Sequence, residues 1–488
     1  MGLNLKEKYN NLPSAVKASI FFVFCGVLKD AIDFIVTPVF SRILEQEEYG
    51  LFNVYNSWYQ IFHIAISLYI FSDGFVVGLS KFGNKKEEFT SSQQGLILVL
   101  ALPWILIYAL NYNNWNALLQ MSTSMVILML CQIVFTTPMN LWVQKKRYTY
   151  DYRPYVPVMI VYALMQPLLA LALIFANNVT GSNYNNALLR IYSGVGVQIA
   201  FGFVIMIIQF IRTPKFADKE YWKFSLSTNS VLVPYYFSQI LLNHSDRLMI
   251  DRYVGKAQTA VYSIAHSAAF TLLVVTSSLN STFTPWLHNK LKTKDTSEVK
   301  KLTSSLIILI AVCSLIIFLI TPELIMILGD EKYAEGIWIV PPLTFGVFII
   351  FIYTLFADVE LYFRGNKFVT VASVLGAAVN IILNYLLIPK AGYLIAGYTT
   401  IIGYLVMCAC HLIFLRIICK KQDIRPETLF DIRVILLVTV ILGALLAGIM
   451  CLYQLILIRY IILLGVAVIL FIKRNLIINL ISGIRKKD

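Results

Sequence analysis

The chain has 488 residues, of which 58% are hydrophobic and 14% charged, and its mean hydropathy is +0.74. Soluble globular domains carry about 25% charged residues, so a water-facing fold of this size is excluded and an all-α polytopic membrane protein is expected. Its net charge is +14; in a soluble protein such an excess suggests nucleic acid, but here the basic residues must first be placed relative to a bilayer.

Apolar stretches of about 20 residues, the length that crosses roughly 30 Å of hydrocarbon, recur from end to end. In chain order they predict fourteen spans, at about 17–39, 53–79, 95–112, 117–138, 155–176, 188–211, 226–245, 258–283, 303–328, 337–360, 368–388, 393–418, 432–453 and 456–472. No small-residue cleavage site follows the first span, so it is expected to be retained. The seventh is diluted by Ser, Thr and Asn, and only Gln454 and Leu455 separate the last two.

With a cytoplasmic amino terminus, the inside segments hold 31 Lys plus Arg and the outside segments 8, with Lys29 inside the first span. This asymmetry predicts that both termini are cytoplasmic. Clusters such as Lys145-Lys146-Arg147 and Lys290, Lys292, Lys294 would then meet anionic headgroups or dock an acidic partner. Five of the seven Trp (Trp115, Trp142, Trp222, Trp286, Trp338) fall at span ends, as interfacial aromatic belts require. The seven Cys are scattered, with no disulfide framework or metal pattern, and no phosphate-binding loop is present. No cofactor is expected.

A fixed offset of 210 residues brings Ser41-Arg42-Ile43-Leu44 against Asp251-Arg252-Tyr253-Val254, and Gly50-Leu51-Phe52-Asn53-Val54 against Ala260-Val261-Tyr262-Ser263-Ile264. An offset of six spans preserves orientation. It predicts two parallel, pseudo-symmetric six-helix bundles with a site between them: residues 1–212, 213–425, and an appendage at 426–488 with two further spans and a basic cytoplasmic tail.

Charge inside a span is costly, by about 2.5–3.5 kcal/mol per residue on insertion scales. Lys29, Asp30 and Asp33 therefore need a paired or wet environment near the middle of span one. Lys29 and Asp33, four apart, share a helix face; they form either a self-neutralising pair or the lining of a polar cavity that binds a charged headgroup or a coupling cation. Asp73, and Asp358 with Glu360, lie nearer span ends and read equally as interfacial or functional. His63 and His266 read as hydrogen-bonded interior histidines, with a relay role as the alternative. Asn243 to Arg247 form a polar end to span seven, where Asp246 and Arg247 would anchor the boundary or gate the outer side. Asn380 and Asn384 share a face and could bond between helices or to sugar hydroxyls. No catalytic constellation and no large extracytoplasmic loop is found, so an enzyme is disfavoured.

Three segments together resemble the bacterial polysaccharide flippases, the O-antigen and capsule repeat-unit exporters of the multidrug/oligosaccharidyl-lipid/polysaccharide exporter superfamily. They are Ser41-Arg-Ile-Leu-Glu-Gln-Glu-Glu-Tyr-Gly50-Leu-Phe-Asn-Val-Tyr, Leu242-Asn-His-Ser-Asp-Arg-Leu-Met-Ile-Asp251 with Val261-Tyr-Ser-Ile-Ala, and Asn380-Ile-Ile-Leu-Asn384 through Ile388-Pro389 and Gly392 to Gly397. The resemblance covers essentially the whole chain. It implies a V-shaped pair of bundles that flips an undecaprenyl-diphosphate-linked oligosaccharide from the inner to the outer leaflet of the bacterial cytoplasmic membrane, without ATP hydrolysis. It also implies a polysaccharide polymerase and glycosyltransferases as functional partners. Cationic residues in such cavities meet the diphosphate, which singles out Lys29, with Arg247 and Arg252 near the outer mouth. The lumen departs from the strongly cationic pattern, since only Lys29 is deep and two Asp stand beside it. Candidate substrate- or ion-binding residues are thus Lys29, Asp30, Asp33, Asp73, Arg247, Arg252, Asn380 and Asn384. A cation-coupled drug exporter of the same fold, a lipid II flippase and, further off, a membrane glycan polymerase or ligase are the alternatives.

Overall fold

The computed structural model describes residues 13–475; the two terminal segments expected on the cytoplasmic face lie largely outside the described residues. Among those residues the chain forms eighteen α-helices and no strand. In order they are α1 Ser14–Ile43, α2 Gln46–Ser67, α3 Asp73–Lys81, α4 Lys86–Leu110, α5 Tyr112–Leu119, α6 Thr123–Tyr148, α7 Tyr152–Thr180, α8 Asn186–Arg212 and α9 Lys219–Tyr253. There follow α10 Lys256–Thr293, α11 Val299–Leu319, α12 Thr321–Leu328, α13 Val340–Tyr362, α14 Asn366–Ala391, α15 Ile395–Lys421, the single-turn α16 Pro426–Leu429, α17 Ile432–Cys451 and α18 Ile456–Ile472.

Each of the fourteen expected spans coincides with one of these helices or a pair of them, and ten helices are long and apolar enough on their own to cross a membrane. The other four fall short for separate reasons. Lys29, Asp30 and Asp33 interrupt α1, polar residues dilute α9 and the 22-residue α2, α18 has only 17 residues, and the second span is also broken. It stops at Ser67 because Leu68 and Tyr69 take φ values of 48° and 53°, a left-handed conformation that costs L-residues roughly 1–2 kcal/mol each. Asp73 then opens α3. The ninth span is likewise divided, at Ile320, with Pro322 in the first turn of α12. The fourth begins at Thr123, behind the separate short helix α5.

The described chain divides into two compact units at 240/241, inside α9. In the first, α6 packs on α8, α8 on α7 and α7 on α1, around a core that includes Tyr55, Ile97, Met129 and Ile133. The expected division at 212/213 is displaced because the start of α9 is held by this unit: Tyr221 and Phe224 join the Phe82 and Phe89 rings, and Trp222 Nε1 donates to the Ser92 carbonyl at 2.8 Å. Gly202 lets α8 approach α6 closely, since a Cβ there would land on the Phe135 carbonyl.

In the second unit, α15 packs on both α14 and α13, and α13 is buried along almost its whole length. The last two helices pack on this unit. Arg459 of α18 is 2% exposed; its guanidinium donates to both carboxylate oxygens of Glu323 at 2.9 Å and to the Leu319 carbonyl at 2.6 Å, at the α11–α12 break. The helix junctions keep the sequence offset: α1 ends at Ile43 and α9 at Tyr253, and α2 starts at Gln46 and α10 at Lys256, each pair 210 residues apart. On the expected cytoplasmic side, Lys290 donates to Asp295 at 2.6 Å and lies 3.3 Å from Glu298; its hydrogen bond holds the exposed Asp295 carboxyl down to about 2. Of that basic cluster, Lys292 and Lys294 form no ion pair among the described residues.

Breaking a buried ion pair from one side costs about 3–5 kcal/mol, whereas replacing both partners by apolar groups is often close to neutral. Arg459→Leu is therefore expected to lower the thermal midpoint in detergent strongly and Glu323→Leu added to it to recover much of the loss. Equal midpoints for wild type and Arg459→Leu would refute this anchoring role.

Candidate functional site

The most enclosed polar cluster lies in the second unit, where α9, α10, α14 and α15 meet. The expected end of span seven at 245 is corrected here: the helix runs on to Tyr253, so Asp246 and Arg247 lie well inside α9 and are nearly fully buried. Asp246 accepts hydrogen bonds from Tyr262 at 2.5 Å, Asn384 at 2.5 Å and Thr400 at 2.9 Å. Asn384 in turn accepts from the Thr399 hydroxyl and donates to Asn380 Oδ1 at 3.4 Å, and Asn380 donates to Thr400 at 3.3 Å. Arg247, the next residue, turns to Ser263 at 3.1 Å and to the Asn243 carbonyl at 3.0 Å.

Each position has a local reason. Asn380 and Asn384 stand one turn apart on α14, and Thr399 and Thr400 lie in the first turns of α15, which follows a short connection. Gly376 and Gly403 sit where α14 and α15 run closest, so that a Cβ on Gly403 would meet the Gly376 carbonyl at 3.1 Å. The close approach lets short hydroxyl and amide groups reach a carboxylate on a third helix. The resulting oxygen set, a carboxylate, amide carbonyls and hydroxyls, suits a proton or a hard monovalent cation rather than a transition metal; no cluster of three His, Cys, Asp or Glu that could hold a metal occurs among the described residues.

The first unit holds a second polar site. A cavity of about 110 Å³ among α1, α2, α7 and α8 is lined by Asp33, Asn56, Gln166, Arg190 and Gln198. Arg190, nine-tenths buried, is packed between aromatic rings, its guanidinium carbon 3.5 Å from the Phe52 centroid and 4.0 Å from that of Phe40. One wall is an amide relay: Tyr55 donates to Gln132 at 2.8 Å, Gln132 to Gln198 at 2.8 Å, and Gln198 to Gln166 at 2.7 Å.

The eight expected residues are thus dispersed. Lys29 and Asp33 pair at 3.0 Å, both half-exposed or more, and Asp30 is exposed on the same helix. Asp73 lies at the broken second span, where it accepts from Tyr236 at 2.6 Å. Arg247, Asn380 and Asn384 enter the buried cluster, whereas Arg252 is exposed near the end of α9. Asp358, 6% exposed, accepts from Thr284 at 2.8 Å, and the fully buried Glu360 meets His411 Nδ1 at 3.1 Å, so both are enclosed by protein near the end of α13. His63 stacks between Tyr59 and Phe71, and His266 on Phe270. Tyr262, Thr399, Thr400, Gln132, Gln166 and Gln198 were not expected. The i, i+4 spacing that exposed the asparagines has no counterpart for partners on separate helices.

Two helical units, fourteen apolar segments and acidic and basic groups enclosed within them define an all-helical polytopic membrane protein. The MatE family model matches residues 234–386, a stretch that contains Asp246, Arg247, Asn380 and Asn384. The structure is similar to a lipid II flippase MurJ in an inward closed conformation, with TM-score 0.66 and 14% identity, covering 95% of this chain and 100% of that one. It is also similar to an inward-facing multidrug resistance MATE family transporter of the MOP superfamily, with TM-score 0.58, 12% identity and coverages of 82% and 95%. A MATE in complex with MaL6 matches with TM-score 0.54, 11% identity and coverages of 84% and 97%. No curated protein matches in sequence. The chain therefore has the fold of these flippase and transporter structures.

Leaving a buried hydrogen-bonding group without its partner costs about 1–3 kcal/mol. Asn384→Ala, which strips a donor from Asp246 and an acceptor from Thr399, is expected to destabilise the protein by that amount, while Asn384→Asp with Asp246→Asn, an exchange of the two groups, is expected to retain more stability. Thermal midpoints of the two variants in detergent check this.

Proposed function

We propose that this chain is a flippase that carries an undecaprenyl-diphosphate-linked oligosaccharide repeat unit from the inner to the outer leaflet of a bacterial cytoplasmic membrane, for O-antigen, capsule or a related surface polysaccharide. The observation that carries the reading is the coverage of the flippase match. The 5% of this chain that it leaves out is shorter than α17 and α18 together, whereas the MATE matches leave out 16–18%. The motif resemblance adds the glycan class.

The physical task is to move a diphosphate and a sugar chain across about 30 Å of hydrocarbon while the lipid tail remains in the bilayer. Lys29 is the residue proposed to meet the diphosphate. Its ammonium is held by Asp33 at 3.0 Å and is still half-exposed, so it can exchange one anion for another at small cost. The Asp246 cluster is proposed as the coupling site: a carboxylate buried this deeply gains most from taking up a proton or monovalent cation, and release of Tyr262, Thr400 or Asn384 would repack three helices at once.

The MatE match favours a second reading, a cation-coupled drug exporter of the same fold. Deletion of the gene separates the readings. Loss of surface polysaccharide with retained viability supports the flippase proposed here; intact polysaccharide with increased drug susceptibility supports the exporter; loss of viability points to lipid II. In a strain dependent on the gene, Lys29→Ala is expected to reduce surface glycan at least tenfold at normal protein abundance, with Lys29→Arg close to wild type. Unchanged glycan in Lys29→Ala would remove the headgroup role. Asp246→Asn, nearly isosteric, is expected to keep the protein folded and to abolish flipping in proteoliposomes; flipping at the wild-type rate and the wild-type pH dependence would remove the coupling role.

A further inference from the structure

Outside both polar sites, the first unit carries a groove of about 920 Å³ between α6, α7 and α8, closed at one end by the start of α4. Its two ends differ in chemistry. At one end stand Lys86, Lys145, Lys146 and Arg212 with two acids, Glu87 and Asp151; along the rest runs an apolar wall that includes Val158, Phe201, Val204, Ile205 and Ile208.

The polar end is built rather than incidental. Lys145 is 8% exposed and donates to Glu87 at 2.8 Å and to Gln209 at 2.9 Å, and Gln209, 6% exposed, donates to Glu87 at 3.2 Å. Lys146 pairs with Asp151. The two acids thus neutralise the two lysines of α6. Lys86 and Arg212 form no ion pair among the described residues, and the groove keeps a charge of +2. Trp142, also in the lining, lies under the Lys146 ammonium at 5.8 Å, the amphipathic aromatic expected at headgroup level.

The dimensions fit as well. From Arg212 to Ala200 the groove follows α8 for twelve residues, about 18 Å at the helical rise, close to the roughly 15 Å of one leaflet's hydrocarbon. Charge complementarity at one end and an apolar track one leaflet long select a single kind of occupant.

We propose that this groove holds an anionic phospholipid of the cytoplasmic leaflet, its phosphate between Lys86 and Arg212 and an acyl chain along Val204 and Ile208. The site rests on the cytoplasmic orientation of this end, and it stands whether the transported molecule is a glycan lipid or a drug. Bound there, the lipid extends the packing of α6, α7 and α8 with a ligand only a bilayer supplies.

The test uses the full-length protein, delipidated in detergent and examined by native mass spectrometry during titration with phosphatidylglycerol, phosphatidylcholine or undecaprenyl phosphate. One phosphatidylglycerol is expected to bind in preference to the other two. At about 1 kcal/mol per basic residue, the double variant Lys86→Gln/Arg212→Gln is expected to weaken it about 30-fold, with Lys292→Gln, outside the groove, unchanged. Both substituted side chains lie at the rim, so folding is retained; Val204→Trp, which fills the apolar track, gives an independent loss. Equal binding of phosphatidylcholine, or wild-type binding by the double variant, would overturn the proposal. Preferential binding of undecaprenyl phosphate, lost in the double variant, would overturn it in favour of a substrate-docking surface. Loss of transport in Asp246→Asn with phosphatidylglycerol binding intact separates this site from the transport reading.

Discussion

A charged or strongly polar group enclosed away from water must find its partners within the chain, because the alternative costs several kcal/mol. Several enclosed charged groups of this protein follow that requirement, although the buried Gln93 and Gln94 amides have no hydrogen-bond partner among the described residues. Asp246 receives three hydrogen bonds, Glu360 meets His411, Arg459 takes both oxygens of Glu323, and Arg190 is sandwiched by aromatic rings. These are also the places where separate helices are tied together, so polar satisfaction and helix packing are one constraint here. Removing a single partner both unties helices and leaves a buried group without its hydrogen bonds.

The same constraint gives the two units different characters. In the first, neutral amides form a relay from Tyr55 to Gln166 across four helices, beside a small cavity that Asp33 and Arg190 line. In the second, the ionic groups are sealed more tightly, and the densest knot joins α9, α10, α14 and α15. A transport cycle needs elements that can exist in two packings. A carboxylate held by three neutral donors is suited to this, since each donor has a hydroxyl or amide alternative nearby on its own helix. The broken segments at Leu68–Ser72 and Ile320 are a second such resource. They interrupt segments expected to span the membrane, where irregular backbone is tolerated only if protein or a cavity covers it.

Charge that is not enclosed has a different use. The loop pattern of the sequence places most basic residues on one expected face, and the ion pairs sort them. Lys145, Lys146 and Lys290 are held by acids, while Lys86 and Arg212 border a groove whose remaining wall is apolar. A cluster that looks uniform as a list of lysines thus becomes, once paired, a small number of cations with a defined neighbour.

Composition and hydropathy alone determined that the chain spans a membrane, where its fourteen apolar segments lie, and that an offset of 210 relates its halves. These properties depend on local composition and period, which the bilayer reads one segment at a time. The spacing of Asn380 and Asn384 and of Lys29 and Asp33 likewise showed on one helix. Tertiary structure decided the rest. It carried α9 past residue 245 and so enclosed Asp246 and Arg247, broke the second and ninth spans, bound α18 to α12 through Arg459, and brought Tyr262 and Thr400 to the Asp246 carboxylate and Thr399 to Asn384. The partners in these contacts are from 15 to 154 residues apart, and which helix faces meet is fixed by close packing at Gly376 and Gly403, not by any pattern along a single helix.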